Sequence, residues 1–237
     1  GGGTDPANTP VYGDVGIDLT AVSLNTGAGN IYLSGTGNSG SNTYDIGIAI
    51  NGNSSLTTTS GDIYITGTAQ STGTNSQGVS FGATNITTES GTVRITGEAQ
   101  GNNTSNEGVY MGSDAGITAT GTGPGMGDIT ITGTGPGDQA NAITIIGTDD
   151  IQLRDANITI SGINGDVSID NPITKIGGTE EITVTIQADG DISLTSDGDI
   201  TSSSGIMNVI LNADRDGDED GKISLNNADI TTLGGYF

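Results

Sequence analysis

The stretch Gly61–Gly67, which reads GDIYITG, decides the fold because the chain repeats it with small changes. Related stretches begin at Gly29, Gly91 and Gly127, so the starts lie 32, 30 and 36 residues apart. Apolar and polar residues alternate within each stretch, which is typical of a short strand with one buried face. A unit this short cannot bury its own apolar face and has to stack on copies of itself. The repeat therefore predicts a solenoid.

Two further strand patterns lie between these stretches. Residues 76–82 (SQGVSFG) and 106–112 (NEGVYMG) are each followed by an Ile-Thr pair and then by the next glycine-bounded stretch. Three short strands joined by Gly, Asn and Ser turns indicate one coil of a parallel β-helix. We predict an all-β, right-handed parallel β-helix of about eight coils with three short strands per coil. Coils that rise about 4.8 Å each would give a rod on the order of 40 Å long.

The length of the repeat changes along the chain. The pattern GDVSI at residues 165–169 returns as GDISL from residue 190 and as GKISL from residue 221, at spacings of 25 and 31. Turn residues between the strands cap them and do not read as domain linkers. We predict one continuous rod over residues 1–237, with an extended segment at 1–12, a longer-coil half at 13–137 and a shorter-coil half at 138–237.

The longer of those two spacings comes from an acidic insertion in a corner turn, at residues 214–221. Alternate carboxylates in an extended turn can converge on one cation, and a glycine lets the chain bend so that a backbone carbonyl joins them. Oxygen ligands without nitrogen or sulfur favour Ca²⁺ over a transition metal. We predict a Ca²⁺ site whose ligands are Asp214, Asp216, Asp218, Asp220, the backbone carbonyl of Lys222, and Asn227.

The spacing of this loop resembles the first two thirds of an EF-hand-type loop. Asn227 stands where such a loop has a bidentate Glu, and no helices flank it, so the affinity for Ca²⁺ should be modest. The alternative interpretation is a solvated acidic turn that serves solubility only. Carboxylates packed this densely repel one another unless a cation lies between them, which favours the metal site.

Composition and charge exclude several classes of function. The chain has 28 acidic residues, five basic residues and no His, for a net charge of −23. That charge argues against binding to nucleic acid or to an anionic membrane surface. The absence of Cys excludes disulfides and thiolate metal sites. No apolar run approaches the roughly 20 residues of a membrane helix, so we expect no membrane insertion.

Three residues occupy the same outward position in successive copies of the repeat: Tyr32, Tyr64 and Arg94. Stacked at the spacing of the coils, they would form a ladder of two aromatic rings and a cation on the surface. Such a ladder could be a sugar-binding strip. The alternative is surface packing that shields the exposed strand backbone from water.

Asp149 and Asp150 are the one pair of carboxylates that resembles the acid and base of β-helical glycan hydrolases. Such enzymes also need a His and an Arg or Lys pair near the catalytic side, and this chain has no His. Five scattered basic residues cannot supply the cluster that a β-helical lyase needs. We therefore predict that the protein is not an enzyme, and we keep a carbohydrate-active β-helix as an alternative.

The second half resembles the repeats of large bacterial surface proteins related to filamentous haemagglutinin. The resemblance rests on residues 186–194 (IQADGDISL), on Asp199–Thr201, and on Asn212–Asp214 leading into GKISL at 221–225. It implies a right-handed parallel β-helix that is exported to the cell surface and serves adhesion or matrix formation. The implied partners are host or neighbouring cell surfaces, glycans, or copies of the protein itself.

These observations predict a non-enzymatic, extracellular segment of a bacterial surface or matrix protein, structural or adhesive in role and stabilised by calcium. The alternative within the same class is a subunit of an extracellular filament that stacks end to end. A β-helix without caps exposes unpaired strand edges, which favour such stacking.

Overall fold

A computed structural model of the chain describes residues 15–39, 44–101, 105–112, 114–137 and 140–237. The extended segment predicted at residues 1–12 lies outside these residues. The described residues form 23 strands and no helix, so none of them belongs to a helix that could cross a membrane.

The chain runs through its strands in groups of three. The first four groups are β1 (Val15–Thr20), β2 (Ser23–Gly27), β3 (Ile31–Thr36), β4 (Ile46–Asn51), β5 (Ser54–Thr58), β6 (Ile63–Ala69), β7 (Gln77–Phe81), β8 (Thr84–Thr88), β9 (Val93–Ala99), β10 (Glu107–Met111), β11 (Ala115–Ala119) and β12 (Ile129–Thr134). The remaining strands are β13 (Asn141–Ile146), β14 (Ile151–Leu153), β15 (Ile158–Ile163), β16 (Asp166–Asp170), β17 (Ile173–Lys175), β18 (Ile182–Ala188), β19 (Ile192–Leu194), β20 (Ile200–Ser202), β21 (Met207–Asn212), β22 (Ile223–Leu225) and β23 (Ile230–Thr231).

Each strand pairs in parallel with the strand three places further along the chain, which makes three sheets. The first sheet contains every third strand from β1 to β22, the second those from β2 to β23, and the third those from β3 to β21. Seven coils are complete, and an eighth contributes two strands. The predicted parallel β-solenoid with three strands per coil is therefore confirmed.

The register of the first sheet gives the length of each coil. Val79 pairs with Val109 and Val109 with Ile143, which are steps of 30 and 34 residues. Ile143 pairs with Val167 and Val167 with Ile192, which are steps of only 24 and 25 residues. The stacking of the strands is retained while the coils shorten: the turns lose residues, and the strands of the second sheet fall from five residues in β11 to three in β14 and β17.

The core is a narrow column of aliphatic side chains between the three sheets. Ile63, Ile65 and Ile95 of the third sheet face Val79 and Phe81 of the first, and all five are buried. The residue between each inward pair faces out, as Tyr64 does between Ile63 and Ile65. This period of two is what a pleated strand requires when only one of its faces is dry.

Two columns of glycine lie against each other where the third sheet meets the first. Gly67 pairs with Gly97 in the third sheet. A Cβ atom placed on Gly97 would lie 1.9 Å from the carbonyl oxygen of Gly108, and one on Gly67 would lie 2.0 Å from that of Gly78. The backbones of the two sheets therefore approach so closely at this corner that no side chain fits between them.

Candidate functional site

The acidic loop lies between β21 and β22, on the turn that leads into the incomplete eighth coil. Its two ends meet at Asp214 and Gly221, where a Cβ atom on Gly221 would lie 2.2 Å from the backbone nitrogen of Asp214. Asp214 has a φ of 59°, a left-handed conformation that reverses the chain. The insertion predicted from the repeat spacing is thus a closed loop with a narrow neck.

Hydrogen bonds within the loop fix part of its shape. The Asp214 carboxylate accepts a bond from the backbone N–H of Glu219 at 3.0 Å, and the Asp214 carbonyl accepts one from Gly217 at 3.3 Å. The Asp218 carboxylate accepts a longer bond from the backbone N–H of Asp220, at 3.4 Å. Because Asp and Asn side chains readily bond to backbone groups a few residues away, these contacts are those of an ordinary Asp-rich turn.

Three of the predicted ligands come together in this loop. Asp214, Asp216 and Asp218 each offer one carboxylate oxygen, and these three oxygens lie within 4.8 Å of one another. Asp214 is half-buried, and the other two side chains are exposed. Two oxygens that each lie about 2.4 Å from one Ca²⁺ are at most about 4.8 Å apart, so the spacing is compatible with a shared ion.

The other three predicted ligands are placed differently. Asp220 does not belong to this group of carboxylates. The Lys222 carbonyl accepts the backbone hydrogen bond of Ile192, at 2.9 Å, within the ladder of the first sheet. Asn227 lies beyond β22, in the turn that leads to β23, with a φ of 62°. A role for these three residues in holding a metal stays a prediction.

Ion pairs hold both ends of the loop to the coil before it. The Arg215 guanidinium lies 2.6 Å from a carboxylate oxygen of Asp189, and its Nε donates to the same oxygen at 2.8 Å. The Lys222 ammonium lies 3.2 Å from Asp191, whose other oxygen accepts the Lys222 backbone N–H at 2.8 Å. The two basic residues of this region are therefore engaged with the preceding turn and do not neutralise the three clustered aspartates.

Replacing Asp216 and Asp218 together by Asn should remove any stabilisation by calcium. For a site with a dissociation constant of 10⁻⁴–10⁻³ M, a tenfold excess of Ca²⁺ stabilises the folded state by about 1–2 kcal/mol, or roughly 2–8 °C in melting temperature. The measurement is thermal unfolding in millimolar Ca²⁺ and in chelator. We expect the shift between these two conditions in the unmodified protein and not in the double variant.

A matched control removes two charges without touching the clustered oxygens. Glu219→Gln lies in the same loop, and Asp197→Asn replaces an exposed acid in another turn. This pair of changes should leave the calcium shift intact. If both double variants respond to Ca²⁺ as the unmodified protein does, the loop is a solvated turn and no more.

The predicted ladder of Tyr32, Tyr64 and Arg94 exists as one outward row of the third sheet, because Tyr32 pairs with Tyr64 and Tyr64 with Arg94. The two rings stack with their centroids 4.9 Å apart and their planes 4° from parallel. The Tyr64 hydroxyl donates to Asp62 at 3.0 Å, and this bond to a carboxylate raises the pKa of Tyr64. The two tyrosines are ordered by their own contacts, and a role of the row in sugar binding stays a prediction.

Asp149 and Asp150 lie in the turn between β13 and β14, where both are half-buried. The side-chain amide of Asn171, in the next coil, donates to the Asp149 carbonyl. This contact binds the turn to its neighbour in the stack. It is the kind of side-chain to backbone bond that fixes corners between coils.

A buried ion pair lies at a corner of the second sheet. The Lys175 side chain is 0% exposed and that of Asp155 is 2% exposed, and the ammonium lies 3.8 Å from the carboxylate. The ammonium donates to three backbone carbonyls, those of Arg154, Gly177 and Glu180, at 2.7, 2.8 and 3.2 Å. All three donors of the ammonium are thus satisfied by backbone that would otherwise bond to water.

On the pKa of each member of this pair, burial acts in one direction and the neighbouring charges and hydrogen bonds act in the other. Burial lowers the pKa of Lys175, and the negative charges of Asp155 and Glu180 only partly offset that effect. Burial would raise the pKa of Asp155, but backbone N–H bonds from Glu180 and Gly123, together with the Lys175 charge, outweigh it and hold this pKa below its usual value. The carboxylate is therefore ionised at neutral pH.

A groove of about 870 Å³ runs along the outer face of the first sheet, across the first four coils. One row of residues in register forms its floor: Asp18, Ala49, Ser80 and Tyr110. Ala49 and Ser80 are only 4% and 9% exposed although they face outward, because the walls of the groove rise beside them. The floor crosses three coil spacings, about 14 Å.

Polar side chains, with the apolar Val15 and Ile46 at one end, line the two sides of this floor. On one side Ile46, Gln77 and Glu107 follow one another in register, and on the other side Thr20 pairs with Asn51. Turn residues from three coils complete the walls: Tyr44, Asn75 and Ser105. The volume lies within the range of sites that hold small molecules, roughly 300–1,000 Å³.

Glu107 is held in place from two sides. Its carboxylate accepts a bond from the Gln77 amide at 3.0 Å and one from the Thr144 hydroxyl at 2.6 Å. Burial raises the pKa of Glu107, and these two bonds only partly offset it. Burial, and then the nearby Glu107 charge, raises the pKa of the Tyr110 phenol as well. One end of the groove is therefore a preorganised polar cluster next to an aromatic ring.

Sequence analysis missed this groove. Its residues stand at outward positions, which the alternating pattern assigns to solvent, and the walls come from turns of several coils. The one available signal is the pair of small residues, Ala49 and Ser80, at successive outward positions of the first sheet. Small outward residues leave room on a strand face, but only the neighbouring coils decide whether that room becomes a groove.

No family model, no curated protein and no solved structure matches this chain. The likeness to repeats of filamentous haemagglutinin therefore stays a resemblance of sequence, and the function of the protein has to be argued from its own residues.

Proposed function

We propose that this chain is a non-enzymatic, extracellular segment of a bacterial surface or matrix protein, a rod that spans or adheres and is stabilised by calcium. The observation that carries the proposal is the continuous stack of seven complete coils, in which every sheet passes uninterrupted from one coil to the next. In a fold of this kind each coil contacts only its neighbours in the stack, so the number of coils sets the length of the rod. It suits a role that depends on length and surface more than on a buried catalytic pocket.

Charge supports the same proposal. The five basic residues form no single cluster: Arg94 lies in the third sheet, Arg154 and Lys175 beside the second, and Arg215 and Lys222 at the acidic loop. The remaining surface is acidic, which keeps a rod soluble and favours binding of divalent cations. Attachment would then occur through exposed faces and turns.

The proposal predicts that beads coated with the protein attach to bacterial or host cells in millimolar calcium. The control is a coat of a globular protein of similar net charge, which separates specific attachment from charge effects. Retention several-fold above that control is expected, with a reduction in chelator. Retention equal to the control on every cell type tested would contradict an adhesive role.

One observation favours the alternative, a filament subunit. Ile223 and Leu225 of β22 are exposed, whereas their partners in register, Ile192 and Leu194, are fully buried. Another coil stacked on this end would bury them. The edge of the third sheet is already partly covered, since the Val209 N–H donates to the Tyr236 carbonyl at 3.0 Å.

Light scattering and electron microscopy distinguish the two roles. Fibres that lengthen in calcium and disperse in chelator would favour a filament, with the acidic loop as an assembly switch. Short rods of uniform length in both conditions would favour an adhesive segment.

A further inference from the structure

We propose that the groove on the first sheet binds a neutral oligosaccharide. The inference deepens the proposed adhesive function by assigning a ligand class to one surface, and its biological meaning rests on that function. It is carried by three observations: the chemistry of the lining, the charge around it, and the shape of the floor.

The lining combines aromatic rings with groups that both donate and accept hydrogen bonds. Tyr44 and Tyr110 present phenol rings, and Asn51, Asn75 and Gln77 present amides. An amide and a hydroxyl can each give and accept a bond, which matches the hydroxyl groups of a sugar. Aromatic rings provide flat apolar area at low conformational cost, with a polar group at the edge.

The charges in and around the groove favour a neutral ligand over an anionic or a cationic one. No Lys or Arg is among the described residues that line the groove, and a protein of net charge −23 repels anions, so acidic glycans and phosphate-bearing ligands are disfavoured. A cationic ligand would need carboxylates that are open to it. Of the two carboxylates among the described lining residues, Glu107 already accepts bonds from Gln77 and Thr144. Asp18 is exposed, but it lies at the far end and accepts a bond from Thr20 at 3.1 Å.

Shape favours a ligand of several linked rings. The floor is a straight row of small side chains, Ala49 and Ser80, closed at one end by the Tyr110 ring. That ring lies over Gly112, where a Cβ atom would be 2.9 Å from the ring carbon Cε1. A channel about 14 Å long with an aromatic ring at one end suits a short extended chain better than one compact molecule.

The test measures binding of neutral oligosaccharides built from glucose, galactose, mannose or N-acetylglucosamine, by calorimetry and by ligand-observed NMR. Uronic acid oligosaccharides and oligolysine serve as the anionic and cationic comparisons. The variants are Tyr44→Ala and Tyr110→Ala, and the matched control is Tyr236→Ala, which removes an exposed Tyr beyond β23, far from the groove. Tyr32→Ala tests the stacked row of the third sheet as a rival site. Because Tyr44 is 47% exposed, its variant keeps the test valid even if Tyr110→Ala does not fold.

We expect at least one neutral oligosaccharide to bind, with an affinity about tenfold weaker in the groove variants and unchanged in Tyr236→Ala. Absence of binding at millimolar ligand, or binding that survives both groove variants, overturns the inference. Loss of binding in Tyr32→Ala alone moves the site to the stacked tyrosines and also overturns it. Oligolysine binding that depends on Tyr44 or Tyr110 would overturn it in favour of a cationic peptide.

Failure of this inference and failure of the proposed function give different results. Cells that attach to the unmodified protein and equally well to the groove variants would leave adhesion standing without the groove. Oligosaccharide binding without attachment to any cell would leave the groove standing without adhesion.

Discussion

Gly97→Ala is expected to destabilise the protein by at least about 3 kcal/mol, which corresponds to roughly 6–12 °C in melting temperature. The added methyl group would lie 1.9 Å from the Gly108 carbonyl oxygen and 2.6 Å from its carbon. Both atoms belong to the backbone of the next strand, which cannot move away without breaking ladder bonds with the coils on either side. The measurement is thermal unfolding followed by far-ultraviolet circular dichroism, which reports the loss of the β-sheets.

The matched control is Gly29→Ala, since it makes the same chemical change at an exposed turn. There the new Cβ atom would lie 3.5 Å from the Thr26 carbonyl oxygen, an ordinary contact. We expect a change within about 0.5 kcal/mol. Equal melting temperatures for the two variants would mean that the corner between the sheets can open. The close approach of the Gly97 and Gly108 backbones would then not be needed for stability.

Alternation of residues was enough to predict which side chains form the core. Ile63 and Ile65 face inward and Tyr64 outward, as a period of two requires. The spacing of the repeat also predicted that Tyr32, Tyr64 and Arg94 share one row. These features depend only on strand geometry and on stacking of equivalent residues, both of which are local and periodic.

The glycines of both columns can be recognised in the sequence as repeated residues, but the sequence does not show why glycine is required there. Glycine bounds each repeat, which reads as a turn signal. In the structure Gly67 and Gly97 lie inside β6 and β9, and they are needed because another strand passes against them. In the later coils Ala188 pairs with Gly162 in the same row, so the requirement is set by the neighbouring sheet.

Lys175 illustrates a different limit. It stands two residues after Ile173, so alternation already places it on the inward side, yet a cation is expected to face water. In register it follows Leu153, a core residue, and precedes Ser202. Its burial is possible only because turns around residues 154 and 177–180 direct carbonyl groups at the ammonium. Contacts among turns of different coils are not encoded in any local pattern, and the groove escaped prediction for the same reason.

The acidic loop could be predicted from the sequence in part. Repeat spacing located the insertion, and the alternate aspartates predicted that carboxylates would converge. Three of them do so, while the Lys222 carbonyl takes part in the ladder of the first sheet. A linear motif specifies which residues are near one another along the chain, and the fold decides which of their atoms are engaged elsewhere.

Lys175→Met is expected to lower the free energy of unfolding by about 3–5 kcal/mol, since it removes one partner of a buried ion pair. Methionine has a similar length, so little volume is lost. The three carbonyls that now accept from the ammonium, and the Asp155 carboxylate beside it, would remain buried without their cation. Thermal unfolding at neutral pH should show a loss of roughly 6–20 °C.

Arg154→Met is the control for that change, because it removes a cation of the same chain region whose side chain is exposed. Exposed substitutions of this kind usually alter stability by less than about 0.5 kcal/mol. A Lys175→Met variant as stable as Arg154→Met would show that the corner repacks, and that the cage of carbonyls contributes nothing.

Acid titration tests the same pair from the side of Asp155. The pKa of this carboxyl is lower in the folded state than in the unfolded chain, so the unfolded chain binds its proton more tightly. Its contribution to stability is therefore complete above the usual carboxyl range and is lost as the pH falls through the lowered value. The pKa of Lys175 is also lowered, so raising the pH through it favours the folded state and alkali should not unfold the protein through this residue.

Because the ionised Asp155 carboxylate stabilises the folded state, Asp155→Asn should lower the melting temperature at pH ~7 and flatten the dependence of that temperature on pH in the acid range. A variant that keeps the full acid dependence would place that dependence in other carboxyl groups.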